Sequence, residues 1–196
     1  MKQNREPLIL DAAERLFKTR GYHPVLMAEI ATESKVPLPA ILAHYNDKGE
    51  VLEALLERSS PREALQKALR DLKYDTLEDM VRGVVVRLMD VLNDHTAFMD
   101  LVIIDLQVNN GTYMAALFSE LAGDAASFIN RMANMQGARP LSTIMLGRAF
   151  ASMMIGFVVT QHLAPRPAQF AMRIFPQKAW VEGIADIFLY GIMESE

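Results

Sequence analysis

The first sixty residues carry apolar positions at helical spacing, cut by chain breakers at short and fixed intervals, and few folds satisfy both. Ile9, Ala12, Ala13, Leu16 and Phe17 recur along Leu8–Arg20 as one helical face. Gly21 follows as a C-cap, with Tyr22 placed to pack back on that helix. The pattern predicts a short second helix over Met27–Ser34 that buries Met27, Ile30 and Ala31. A break at Ser34-Lys35 leads to a third helix near Pro37–His44, with Val36, Ile41 and Tyr45 inward. Asn46-Asp47 is a turn, and Asp47 is placed to cap a fourth helix that begins at Lys48.

Helix, short helix, tight turn, short helix, long helix is the order of a helix-turn-helix unit. The stretches Ile9-Leu10-Asp11-Ala12-Ala13, Leu16-Phe17, Arg20-Gly21-Tyr22, Glu29-Ile30-Ala31, Val36, Ile41, His44-Tyr45 and Lys48 resemble the N-terminal domain of the TetR family of repressors over about fifty residues. The resemblance implies an all-α protein. It would have a DNA-binding domain at 1–47, a connecting helix at 48–60 and a helical ligand-binding and dimerisation domain at 61–196.

The departures from the family's pattern fall on its contact surface. Lys35 stands in the turn where the family usually has glycine. Pro37, Leu38, Pro39 and Ala40 open the recognition helix in place of Ser, Lys, Gly and Thr. Leu42 stands where an aromatic is usual, and Val25-Leu26 stand where a hydroxyl side chain is usual. Proline fits the first turn of a helix, whose N–H groups have no partner within it. Those N–H groups are also what a helix start offers to a phosphate, and Pro37 and Pro39 each remove one. Leu38 and Ala40 can touch a thymine methyl but cannot hydrogen-bond a base edge. The residues left to meet DNA are Lys35, Leu38, Ala40 and His44, with Lys48 and the N-terminal arm of Lys2 and Arg5. By the resemblance, Lys48 is a phosphate contact.

Beyond residue 60, Ser60-Pro61-Arg62-Glu63 reads as a capping box with proline at the first helical position. Further helices are expected over Pro61–Leu72, from a cap at Asp75 or Thr76 to about Leu92, and over Thr96–Val108. After an Asn109-Asn110-Gly111 turn, they continue over Thr112–Met135, Leu141–Leu163 and about Gln177–Met193. Helices apolar on most faces are buried in a core or an interface. The last two fit the family's dimer interface, with Ile144, Gly147, Ala151, Trp180, Ile184, Ile187 and Phe188 as its candidates. Eleven of the 13 methionines lie beyond residue 60. Methionine adapts its shape and suits apolar pockets. Met89, Phe98, Met99, Val102, Tyr113, Leu117, Phe118, Phe150, Met153, Met154 and Phe157 are the expected lining of an effector site for an apolar or amphipathic small molecule. Asp105, inside LVIIDLQV, is expected to face solvent or to pair with an arginine.

Composition narrows the function classes. With 0 Cys there is no disulfide, thiolate nucleophile or Cys-ligated metal. The histidines at 23, 44, 95 and 162 are scattered, and no phosphate loop or catalytic constellation is present, so neither an enzyme, a metal nor a cofactor is expected. Residues 1–60 hold 8 Lys/Arg and 9 Asp/Glu, without the basic excess usual in a DNA-binding unit. No signal peptide is apparent, and no uninterrupted apolar stretch approaches the roughly 20 residues that span a bilayer. A cytoplasmic protein without membrane association is expected. The reading is a homodimeric, ligand-responsive transcriptional regulator, a repressor acting at palindromic operator DNA. The alternative is a protein of the same fold that reads no DNA and carries or senses a lipid-like ligand.

Overall fold

A computed structural model describes residues 5–70, 73–165, 174 and 176–192. The elements among them are helices: α1 (Glu6–Arg20), α2 (Met27–Ser34), α3 (Leu38–Leu42), α4 (Lys48–Ser59), α5 (Arg62–Arg70), α6 (Leu77–Asp94), α7 (Thr96–Val108), α8 (Thr112–Ala133), α9 (Thr143–Leu163) and α10 (Gln177–Ile192). The all-α expectation holds. α2 and α7 have the bounds that the breakers around them predict. α3 is shorter than expected, because Pro37 sits outside it as the N-cap and Ala43 closes it. Met193, the expected end of α10, lies outside the described residues.

The chain forms two compact units, residues 1–60 with 95–117, and residues 61–94 with 118–196. In the first, α1 packs on α2 and α4, α2 on α3, and α4 on α7. Its core is made by the apolar stripes of these helices, with Ile9, Phe17, Ile30, Ile41, Leu52, Leu55 and Leu101 all buried. Gly21, at φ 80, ends α1 and sends its N–H to the Phe17 carbonyl, while Tyr22 folds back with its ring centroid 5.1 Å from that of Phe17. Asp105 departs from expectation: it is 0% exposed, and its carboxylate faces the start of α8, where Oδ2 accepts from the Met114 N–H at 3.4 Å. An acidic group at a helix start is favoured by the free N–H groups there.

In the second unit, α6 packs on α5 and α10. Val81, Val84, Val85, Phe128, Met132, Phe150, Ala185 and Leu189 centre its core. Thr76 caps α6 by accepting from the Asp79 N–H at 3.0 Å. Gly83 lets the Tyr74 phenol lie against α6, since a Cβ there would stand 2.0 Å from its hydroxyl oxygen. Phe150 joins α8 and α9 to α10, with ring centroids 5.3 Å from both Phe128 and Phe188.

α9 is apolar along most of its length. Its segment Thr143–Thr160 has 18 residues at a mean hydropathy of 1.6, long and apolar enough by those measures to cross a membrane. The segment carries one charge, Arg148. Only 22% of the segment is buried within the chain. Such a surface needs a cover.

Candidate nucleic-acid interface

The helix-turn-helix is built by α2, the three residues Lys35, Val36 and Pro37, and α3. α2 begins without the usual hydroxyl cap. Leu26 has no side-chain acceptor, so only the reciprocal half of a capping box forms, with Glu29 Oε2 accepting from the Leu26 N–H at 2.8 Å. That N–H and the Arg20 guanidinium, at 2.7 Å from Glu29 Oε1, hold the Glu29 carboxyl below its usual range. The turn is pinned by Ser34, which is buried and whose Oγ accepts from the Val36 N–H at 3.4 Å. Lys35 adopts the left-handed conformation, φ 57 and ψ 26, that glycine takes without steric cost.

Val36, Ile41 and Tyr45 anchor α3 to the unit's core. Tyr45 also donates from its hydroxyl to Glu6 Oε1 at 3.3 Å. Burial, then the nearby Glu6 charge, pushes its phenol up to about 12. With that face inward, Leu38 and Ala40 are half-buried, while Pro37, Pro39, Leu42, Ala43 and His44 are exposed. The exposed apolar side chains of α3 and its end are thus Pro39, Leu42 and Ala43, beside the partly accessible Leu38 and Ala40. The inward anchors Val36, Ile41 and Tyr45 were the sequence signal that could have fixed this.

Lys48 has a different setting from the one the resemblance implies. Its ammonium donates to the carbonyls of Tyr22 at 2.7 Å, His23 at 3.1 Å and Val25 at 2.9 Å, and lies 4.2 Å from the centre of the Tyr22 ring. All three of its protons hold the loop between α1 and α2. Burial pulls its pKa below the ordinary lysine value. Beside it, Asp47 caps α4 by accepting from Gly49 and Glu50 N–H at 2.7 and 3.0 Å, and Glu50 reaches back to the Asn46 N–H at 2.7 Å.

The cations of α1 have acidic partners. Arg15 pairs with Glu33 at 3.0 Å, Lys18 with Glu14 at 2.8 Å and Arg20 with Glu29 at 2.7 Å. Arg58 of α4 pairs with Asp11 and Glu14, both at 2.7 Å. These pairs neutralise the charges that a basic patch would need. Lys35 and Arg5 are exposed, and Lys2 lies outside the described residues.

The expected effector residues divide between the units. Phe98, Met99, Val102, Tyr113 and Leu117 belong to the first; Met89, Phe118, Phe150, Met153, Met154 and Phe157 belong to the second. Tyr113 closes on Phe98 at 6.2 Å between centroids and donates to Glu57 at 2.8 Å. Met89, Phe150 and Met154 fill the second core, and Phe118 is 48% exposed. A groove of about 370 Å³ in the second unit runs between α8 and α9, and Phe150 is the only expected residue that reaches it. Leu69, Ile129 and Gly147 extend its apolar wall, with Arg148 and Asn130 as polar groups.

The expected interface residues also separate. Ile144 is 83% exposed and Ile187 74%, and Ala151 is exposed too. Met145 and Tyr190 join them in the open. Ile184 and Phe188 are buried in the unit's own core, because the inward stripe of α10 is Val181, Ile184, Ala185, Phe188 and Ile192. Trp180 is half-buried against Phe157, and Gly147 lies in the groove.

Residues 9–55 match the sequence profile of the bacterial regulatory proteins of the tetR family. No curated relative matches the chain by sequence. Among solved structures, a tetR-family regulatory protein from Rhodococcus RHA1 is 14% identical, with 100% of each chain covered and a TM-score of 0.71. SmeT, the repressor of the Stenotrophomonas maltophilia multidrug efflux pump SmeDEF, is 20% identical, with 98% of this chain and 92% of its own covered at a TM-score of 0.67. The fatty acid degradation regulator FadR from Bacillus halodurans is 15% identical, with 96% of each chain covered at the same TM-score of 0.67. The N-terminal helix-turn-helix thus matches the tetR-family domain over residues 9–55, and the chain is similar in fold to tetR-family regulators along nearly its whole length.

Proposed function

We propose that the protein is a homodimeric transcriptional repressor that binds palindromic operator DNA and releases it when an apolar or amphipathic small molecule binds the second unit. The observation that carries the reading is the intact helix-turn-helix, with α3 anchored at Val36, Ile41 and Tyr45 and its other face open to a major groove. The outward apolar faces of α9 and α10, with Ile144 and Ile155 exposed on the first and Ile187 and Tyr190 on the second, support a second copy as their cover. The groove beside Phe150 supports an apolar ligand, its volume lying within the range of small-molecule sites. Such a ligand releases DNA only by binding more tightly to the conformation that misfits the operator. The site of action is the cytoplasm.

Two observations favour a second reading, in which the same fold carries a lipid-like molecule and reads no DNA: the paired cations of α1 and the donor-poor surface of α3. Selection from a random duplex pool at two salt concentrations separates the readings. A regulator enriches a palindrome. With Arg5 and Lys35 as the exposed cations described near α3 in each subunit, its affinity should fall with salt at a logarithmic slope of about −4 or shallower. A folded dimer, stripped of extractable ligand, that enriches no duplex at low salt would sink the regulator in favour of the carrier.

A further inference from the structure

We propose that α3 reads its operator through thymine methyl groups rather than through hydrogen bonds to base edges; this rests on the reading of the protein as a duplex-binding regulator. Pro39, Leu42 and Ala43 stand three and four residues apart, which puts them on one helical face, and all three are exposed, Leu42 at 44%. From residue 37 to 43 no side chain carries a nitrogen or oxygen atom. The backbone adds only the first-turn N–H of Leu38. Pro37 and Pro39 have no N–H. The N–H groups of Ala40 and Ala43 go to the carbonyls of Pro37 and Pro39, at 2.9 and 3.1 Å.

A hydrogen-bonding helix tells the four base pairs apart by their donor and acceptor patterns in the major groove. This face cannot see those patterns. The feature it can read is the apolar 5-methyl of thymine, which projects into the same groove. The same chemistry extends to 5-methylcytosine, whose methyl occupies the corresponding position. The outward face is the one left for contact, since the opposite face holds Ile41 in the core.

Replacing thymines of the selected operator by deoxyuridine, one symmetric pair at a time, tests this. Uracil keeps every hydrogen-bonding group of thymine and loses only the methyl. Covering one methyl is worth roughly fourfold in affinity, so a symmetric pair at a read position should weaken binding roughly 15-fold. In Leu42→Ala the uracil penalty should vanish at the pair that Leu42 covers and persist elsewhere. Leu42 is exposed, so the variant keeps its fold, which circular dichroism checks. An operator bound within twofold in its thymine and fully uracil forms overturns the methyl reading and leaves the regulator standing. A penalty pattern unchanged in Leu42→Ala overturns it as well. A selection that yields no operator overturns both.

Discussion

Lys48 offers the sharpest division between a structural and a DNA-contacting role. Lys48→Met keeps the stem and removes the ammonium. The carbonyls of Tyr22 and Val25 are part-buried and lose a charged donor each, while that of His23 is exposed and regains water. At about 1 kcal/mol for each part-buried bond, and about 0.5 kcal/mol for the ring contact, the loss is about 2–3 kcal/mol. Urea unfolding followed by circular dichroism should show the midpoint lower by about 1 M. The slope of operator affinity against salt should stay where it was. An unchanged midpoint with a slope shallower by about 1.8 would refute the reasoning, because that is the signature of one lost phosphate contact in each subunit of the dimer.

Three further outcomes are expected. Lys35→Gly relieves the left-handed backbone at φ 57 but frees the unfolded chain, a net gain of about 0.5–1 kcal/mol, seen as a melting temperature about 2 °C higher; a lower one would assign the Lys35 side chain a stabilising contact. Tyr45 titrates at about 12 in the folded chain against 10.0 unfolded, so the folded state keeps a proton the unfolded state gives up. Its contribution is whole below pH 10 and is lost as pH rises through about 12, so stability falls over that window in the parent and less in Tyr45→Phe; parallel profiles for the two would remove Tyr45 as the cause. Ile187→Asp and Ile144→Asp, at positions 74% and 83% exposed, should turn a dimer into a monomer by sedimentation, and an unchanged mass would move the interface elsewhere.

The helices were legible because their breakers are strong. Gly21, the Ser34-Lys35 break, Asp47 and the Asn109-Asn110-Gly111 turn mark ends that local chemistry alone enforces. The site was only partly legible. Sequence showed that Pro37–Ala40 lacks donors, but the outward choice of Pro39, Leu42 and Ala43 depends on how Ile41 and Tyr45 seat in the core. The ion pairs of Arg15 and Arg20 reach Glu33 and Glu29 on the next helix, a meeting that no local pattern encodes. Asp105 misled for the same reason: its polarity suggested solvent, whereas its neighbour in space is the start of α8. On α10 the charged stripe of Lys178, Glu182 and Asp186 leaves apolar residues on the faces to either side, so sequence alone did not say that Ile187 faces out and Ile184 in.

The neutralised first helix bears on how such a regulator would find its site. Chromosomal DNA is a vast polyanion that holds most basic proteins in weak, sequence-blind association and lets them slide along it. With Arg15, Lys18, Arg20 and Arg58 closed into internal pairs, this chain has little hold on that reservoir. More of its molecules stay free in solution, and fewer copies suffice to occupy a given operator. The search then proceeds by three-dimensional collision rather than by sliding, so arrival is slower.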